Sequence, residues 1–172
     1  MIKLEKFTEN DFDYLISWIN NEEDLIQFAG TIFTFPLTKD QLYKYLVNPN
    51  SNAFKVIYGR ENIPIGHAEI FIANNNIPKL CRIIIGNKIY RDKGLGQQIV
   101  KELLNISFNK FAATRVELNV FDWNQSAIKC YERVGFKINN STQKEILVSG
   151  KSWISINMFI EKKNFYENKY FI

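Results

Sequence analysis

One stretch limits the possible folds more than any other. Residues Lys79 to Gly86 form an apolar run whose centre is Ile83-Ile84-Ile85, three β-branched residues in a row, as suits a central strand buried on both faces. Close behind it comes Arg91-Asp92-Lys93-Gly94-Leu95-Gly96, and then a helical period from about 94 to 111, with Ile99, Leu103, Ile106 and Phe111 in apolar positions. Arg115–Phe121 then reads as another strand. Strand, helix and strand in that order make a crossover that places the two strands parallel, and it selects a mixed α/β sheet. The loop between them has a chemistry of its own. A glycine-rich turn into a helix leaves backbone N–H groups free at the positive end of the helix dipole, which suits a phosphate. Gly94 and Gly96 permit close approach, and Arg91 and Lys93 add positive charge. The loop is neither a dinucleotide fingerprint, for which the third glycine is missing, nor a Walker loop, which needs Gly-Lys-Ser/Thr.

The rest of the chain supplies the partners of this unit. Residues 2–7 read as a strand, Thr8 as the cap of a helix over about 9–20, and Glu22–Phe28 as a short helix ending at Gly30. Thr38 with Gln41 makes a capping box for a helix over about 39–47. Phe54–Tyr58, Ile63–Ala73 and Lys79–Gly86 should form an antiparallel meander with turns at 60–62 and 74–76. Asn124–Val134 reads as a helix closed by Gly135, and 136–148 with 151–161 as a final hairpin around Ser149-Gly150. The expectation is a single domain over 1–172: an α/β fold with a mixed, mostly antiparallel central sheet and helices on both faces.

Composition removes several classes. With 46% hydrophobic and 23% charged residues the chain has enough apolar surface for a core and is no disordered segment. Cys81 and Cys130 have no partner at metal-ligand spacing and read as reduced thiols, so no metal is implied. No secretory peptide or membrane span is visible, and a cytoplasmic location is expected. The net charge of +4 comes with scattered lysines, and without the arginine stripe or RNA-binding motif of a nucleic-acid binder.

A second motif sharpens the reading. Asn124-x-x-Ala127-Ile128-x-x-Tyr131-Glu132-x-x-Gly135-Phe136 follows the Arg91-x-x-Gly94-x-Gly96 loop by about 28 residues, and the pair resembles the GNAT superfamily of acetyl-CoA-dependent N-acetyltransferases. The stretch 80–161 carries the resemblance best. Gly135–Phe159 is similar to the branch containing ribosomal-protein and spermidine N-acetyltransferases. The resemblance implies GNAT topology and roles for named residues. Arg91, Asp92, Lys93, Gly94, Leu95 and Gly96, helped by Gln97, would cradle the CoA pyrophosphate through main-chain N–H groups. Ile84, Ile85 and Gly86 would pair their backbone with the pantetheine arm. Asn124 would cap its helix and reach the pantetheine, Ala127 would leave room for it, and Tyr131 would protonate the departing thiolate. A phenol with a pKa near ~10 stays protonated at neutral pH and suits that role.

The general base is less defined. The strand Lys79–Gly86 has no acid; Glu69 on the preceding strand and Glu117 on the following one are candidates, as is a water relay along backbone carbonyls. His67, the sole histidine, shares parity with Glu69. Trp18, Phe28, Phe33, Phe35 and Tyr43 are candidate walls of the acceptor pocket, and Glu22, Glu23 and Asp24 could attract a cationic amine, either a small molecule or a protein N-terminus. The competing class is a non-catalytic acyl-CoA sensor of the same fold. The aromatic tail Phe165–Phe171, if exposed, would favour a homodimer.

Overall fold

The structure is a computed structural model that describes residues 1–59, 63–73 and 76–167; the expected turns at 60–62 and 74–75 and the tail beyond Glu167 lie outside the described residues. Among the described residues seven strands build one sheet: β1 Ile2–Lys6, β2 Ser51–Tyr58, β3 Pro64–Ile72, β4 Pro78–Ile85, β5 Arg115–Phe121, β6 Lys137–Val148 and β7 Lys151–Glu161. Their order is β1-β2-β3-β4-β5-β7-β6, and every neighbouring pair is antiparallel except β4–β5. The lone parallel pair is the one that the crossover through helix α4, Leu95–Asn109, demands.

Each helix starts and stops for a local reason. In α2, Glu22–Ala29, the Asp24 N–H donates to Asn21 Oδ1 at 2.8 Å, and the helix ends at Gly30 with φ 64°. In α3, Lys39–Leu46, the Gln41 N–H donates to Thr38 Oγ1 at 3.4 Å. In α5, Gln125–Val134, the Ala127 N–H donates to Asn124 Oδ1 at 3.2 Å, and Gly135 closes the helix at φ 113°. The hairpin β6–β7 turns on Ser149 and Gly150 at φ 48° and 76°, the two positive values that a tight two-residue connection requires.

The first helix departs from expectation. Thr8 and Asp11 form the predicted box, with Thr8 N–H and Oγ1 both donating to Asp11 Oδ2 at 2.9 Å. Only a single 3₁₀ turn follows, Glu9–Asp11, and then a short α1, Phe12–Ser17. Asp11 is buried and paired with Lys55 Nζ at 3.2 Å, and Asn20 donates through both nitrogens to Asp24, which starts α2 instead of prolonging α1.

Two apolar layers sandwich the sheet. The larger packs α4 and α5 on one face through Ile99, Leu103, Leu104, Phe108, Ile128 and Val134. Leu103 and Leu104 are fully buried, and burying each stabilises by about 2 kcal/mol. The smaller packs α1–α3 on the other face through Phe12, Leu15, Leu25, Phe28 and Leu42. A C-terminal helix not expected from sequence, α6 Lys162–Glu167, brings Phe165 against Phe108 with ring centroids 5.5 Å apart, and Tyr166 donates to Asn109 Oδ1 at 3.0 Å. Up to Tyr166 the aromatic tail therefore packs on its own α4. Among the described residues no helix is long and apolar enough to cross a membrane.

Candidate active site

The site begins where the parallel pair fails. β4 and β5 are joined at only two positions, Lys79 with Glu117 and Leu80 with Leu118, and then diverge. Beyond Leu80 the β4 edge that faces β5 has no strand partner, so backbone groups along it can bond a ligand. A cleft of about 970 Å³ opens between the two strands. The β4 wall carries a bulge: His67 pairs with Ile84 and Glu69 with Cys81, so Ala68 alone faces both Arg82 and Ile83. Arg82 adopts φ 48°, a left-handed conformation uncommon outside glycine. The extra residue resets the alternation of β4. Ile83 and Ile85 pack into the larger core and Ile84 into the smaller, which is why three consecutive isoleucines are all used.

At one end of the cleft is the glycine loop. Gly94 caps α4 at φ 71°, where a Cβ would be strained. Arg91 Nε donates to the Ile85 carbonyl at 2.9 Å, tying the loop to the end of β4. Asp92 also takes a left-handed conformation, φ 59°, which Asp tolerates better than most residues. Gly96 sits on the first turn of α4, and a Cβ there would meet Cys130 Sγ of α5 at 3.3 Å. The free N–H groups of that turn thus open onto the cleft at the positive end of the helix. Gly86, at the end of β4, lies under Trp18 so closely that any Cβ would fall inside the indole. An extended acyl-CoA fits this arrangement: phosphates at the helix N-terminus, and a peptide-like arm along an unpaired strand edge.

On the opposite wall, α5 turns Asn124, Ala127, Cys130 and Tyr131 to the cleft, while Ile128 beside them enters the core. The Tyr131 hydroxyl has no hydrogen-bond partner among the described residues, and burial raises its pKa, so it is firmly protonated. Cys81 also lines the cleft, but burial pushes its thiol up to about 11. Burial raises Cys130 as well. Neither is a thiolate at neutral pH, so neither is prepared to act as a nucleophile.

The other end of the cleft is made by side chains from distant segments. Ser17, Trp18, Asn20, Asp24, Gln27 and Phe28 come from the α1–α2 region, and Asn119, Phe121, Lys144, Ile146 and Ser155 from β5, β6 and β7. α2 spans the opening, because Ile26 packs against the cluster of Phe121, Val148 and Trp153. Beneath α2 lies a buried polar group. Tyr45 donates to Glu69 Oε2 at 2.5 Å, Arg82 Nε donates to the same oxygen, and Glu69 and His67 are both fully buried. His67 Nδ1 lies 2.8 Å from the Arg82 carbonyl, which can only accept, so Nδ1 carries the proton. Burial lowers the His67 pKa to about 4 and keeps the ring neutral.

Most of the residues expected from sequence meet here. Ile84, Ile85, Gly86, Arg91, Asp92, Gly94, Gly96, Gln97, Asn124, Ala127 and Tyr131 all line the cleft. Lys93 is exposed with Nζ over the Tyr90 ring, the Leu95 side chain is core, and neither lines the cleft. Glu69 and Glu117 are not on the wall: Glu69 is sealed behind Arg82, and Glu117 accepts from Arg115 Nε at 2.9 Å. Of the expected acceptor aromatics, Trp18 and Phe28 line the cleft, Phe33 is core, and Phe35 and Tyr43 face solvent. Of the three acids only Asp24 reaches it. Sequence reasoning missed Arg82, although a single arginine inside an otherwise apolar central strand was a signal. It also missed Lys144, Ile146 and Ser155, for which no local signal exists.

Comparison with known proteins agrees with this geometry. Residues 14–136 match the acetyltransferase (GNAT) family, more than half of the chain. An aminoglycoside N(6')-acetyltransferase type 1 of Klebsiella pneumoniae is 26% identical over 149 residues, covering 79% of this chain and 74% of the relative. The spermidine N-acetyltransferase of Vibrio cholerae, solved with CoA and spermine, superposes with a TM-score of 0.81 at 19% identity over 96% of this chain and 98% of that one. The aminoglycoside acetyltransferase AAC(6')-Ib, solved with coenzyme A, gives 0.76 at 19% identity over 98% and 99%.

Proposed function

The chain belongs to the GNAT acetyltransferase family and is an acyl-CoA-dependent N-acetyltransferase with acetyl-CoA as co-substrate, and we propose that it acetylates a primary amine by direct attack in a ternary complex. The observation that carries this reading is the splay of β4 from β5 at the N-terminus of α4, which leaves a strand edge and a helix end open to one continuous cleft. The loop Arg91–Gly96 with Gln97 holds the pyrophosphate, and Ile84–Gly86 pair with the pantetheine arm, as a strand added to an open edge. The acceptor enters from the side of Trp18, Asp24 and Phe28. Asp24 has the charge to attract an ammonium group.

Direct attack is favoured over an acyl-enzyme because both cleft cysteines are held as neutral thiols. The attacking amine must be neutral. With neither Glu69 nor Glu117 on the cleft wall, its proton leaves through water and the backbone carbonyls of the open strand edge. A backbone N–H near Ile85 stabilises the oxyanion that develops on the thioester carbonyl. Tyr131 then supplies the leaving sulfur with a proton. Burial makes this phenol a weaker acid than usual, so it first acts as a hydrogen-bond donor to the growing thiolate charge and gives up its proton late.

The acceptor class is inferred from the relatives. Polyamines and aminoglycosides lead the panel to be tested, with amino acids and peptide N-termini beside them. The experiment follows free thiol on mixing the chain and acetyl-CoA with each amine, and identifies the product by mass. Amine-dependent thiol release with an acetylated product is expected. Tight binding of acetyl-CoA with no turnover on any amine would favour a sensor role instead.

A further inference from the structure

The cluster of Tyr45, His67, Glu69 and Arg82 is costly to keep. A fully buried carboxylate, a largely buried guanidinium and a buried histidine have left the water, and Glu69 Oε1 is sealed in without any hydrogen-bond partner. A buried ion pair of this kind contributes little net stability compared with an apolar replacement. The cluster therefore calls for a reason other than holding the fold together.

That reason lies in what it grips. Glu69 accepts from Arg82 Nε, the Arg82 guanidinium stacks over the Tyr45 ring at 5.4 Å, and Tyr45 donates to the same Glu69 oxygen at 2.5 Å. His67 grips the backbone itself, through the Arg82 carbonyl at 2.8 Å. Both the side chain and the main chain of residue 82 are thus tied to β3. Residue 82 is the left-handed residue of the bulge, and it lies two positions beyond Leu80, where β4 parts from β5. Without the bulge, residues 83–85 would turn over and present the opposite set of backbone groups to the cleft.

On the acetyl-transfer reading given above, we propose that Tyr45, His67 and Glu69 are positioning residues that act through Arg82: they hold residue 82 left-handed and so aim the open edge of β4 at the thioester. None of the three lines the cleft. Their effect on the reaction is carried by the backbone of Arg82 to Ile85, which does.

The test separates backbone conformation from side-chain chemistry. Arg82→Ala removes the guanidinium and leaves a residue that resists positive φ, whereas Arg82→Gly removes the guanidinium and accepts positive φ freely. On an acceptor that the wild type acetylates, Arg82→Ala and Glu69→Gln should each lower kcat roughly tenfold or more, with acetyl-CoA affinity from calorimetry within about twofold. Arg82→Gly should recover most of the kcat that alanine loses. Tyr45→Phe deletes one hydroxyl and keeps the packing, so it remains informative if the other variants fail to fold; a fall in kcat at unchanged acetyl-CoA affinity is expected. Equal low kcat for the alanine and glycine variants would overturn the proposal by giving Arg82 a direct role at the substrate. Wild-type kcat in folded Tyr45→Phe or Glu69→Gln would overturn it by leaving the cluster a structural role alone. A wild-type chain that binds acetyl-CoA and acetylates no amine would instead remove the acetyl-transfer reading on which the proposal rests.

Discussion

The two ends of the cleft are built differently. The end proposed for the cofactor uses backbone: the left-handed Gly94, the first turn of α4, and the open edge of β4, all within residues 81–97, faced by one helix over 124–134. The acceptor end uses side chains from Ser17 to Ser155, contributed by two helices and three strands that share no local sequence pattern. The phosphate and pantetheine of acetyl-CoA are constant, and a backbone site suits them with any side chains that keep the turn. An acceptor is recognised by charge and shape, which only side chains supply. The cofactor end should therefore be sensitive to steric change and indifferent to titration, and the acceptor end sensitive to both.

The largest expected effect tests the titration half of that contrast. His67, the sole histidine, lies beneath the acceptor end, facing Tyr45, Glu69 and Arg82, with a folded pKa lowered from 6.5 to about 4. Between those values the unfolded chain takes up a proton that the folded chain refuses. Stability should thus rise with pH across the window from about 4 to 6.5, by about 3 kcal/mol in total. His67→Asn should flatten that part of the Tm-against-pH curve; equal slopes in the two proteins would mean that the ring titrates normally.

Next in size is chemistry at the junction of the two ends. Tyr131→Phe keeps the ring and deletes the proton, so kcat should fall about 10²-fold with acetyl-CoA affinity nearly unchanged. A variant with wild-type kcat, under conditions where chemistry limits the rate, would make Tyr131 a packing residue.

Gly96→Val probes the steric half. The added branches meet Cys130 Sγ and narrow the cleft at the α4 N-terminus, so acetyl-CoA affinity should weaken about tenfold, or about 1.4 kcal/mol. Unchanged calorimetric affinity in the folded variant would remove the loop from the cofactor site.

The smallest effect belongs to a single charge. Asp24→Asn keeps the shape and the capping geometry of α2, so it should raise KM for a cationic acceptor about threefold to tenfold without altering acetyl-CoA affinity. A variant whose KM for every cationic acceptor stays at the wild-type value would show that Asp24 only holds Asn20 at the start of its helix.

What the sequence by itself determined is local. Thr38 with Gln41, Asn124 with Gly135, Ser149-Gly150, and the isoleucine run before the glycine loop each fix an element through contacts within a few residues, and each appears where expected. The two motifs were legible for the same reason: their residues are contiguous, and most of them line one cleft. Tertiary structure alone decided the rest. It shortened α1, because Asp11 is drawn to Lys55 and Asn20 to Asp24. It folded Phe165 onto Phe108, far back in the chain. It sealed Glu69 behind Arg82 and bulged β4, a register choice that depends on β3, α3 and β4 meeting at one point. Burial and pairing between distant segments are properties of the assembled sheet, and no window of neighbouring residues contains them.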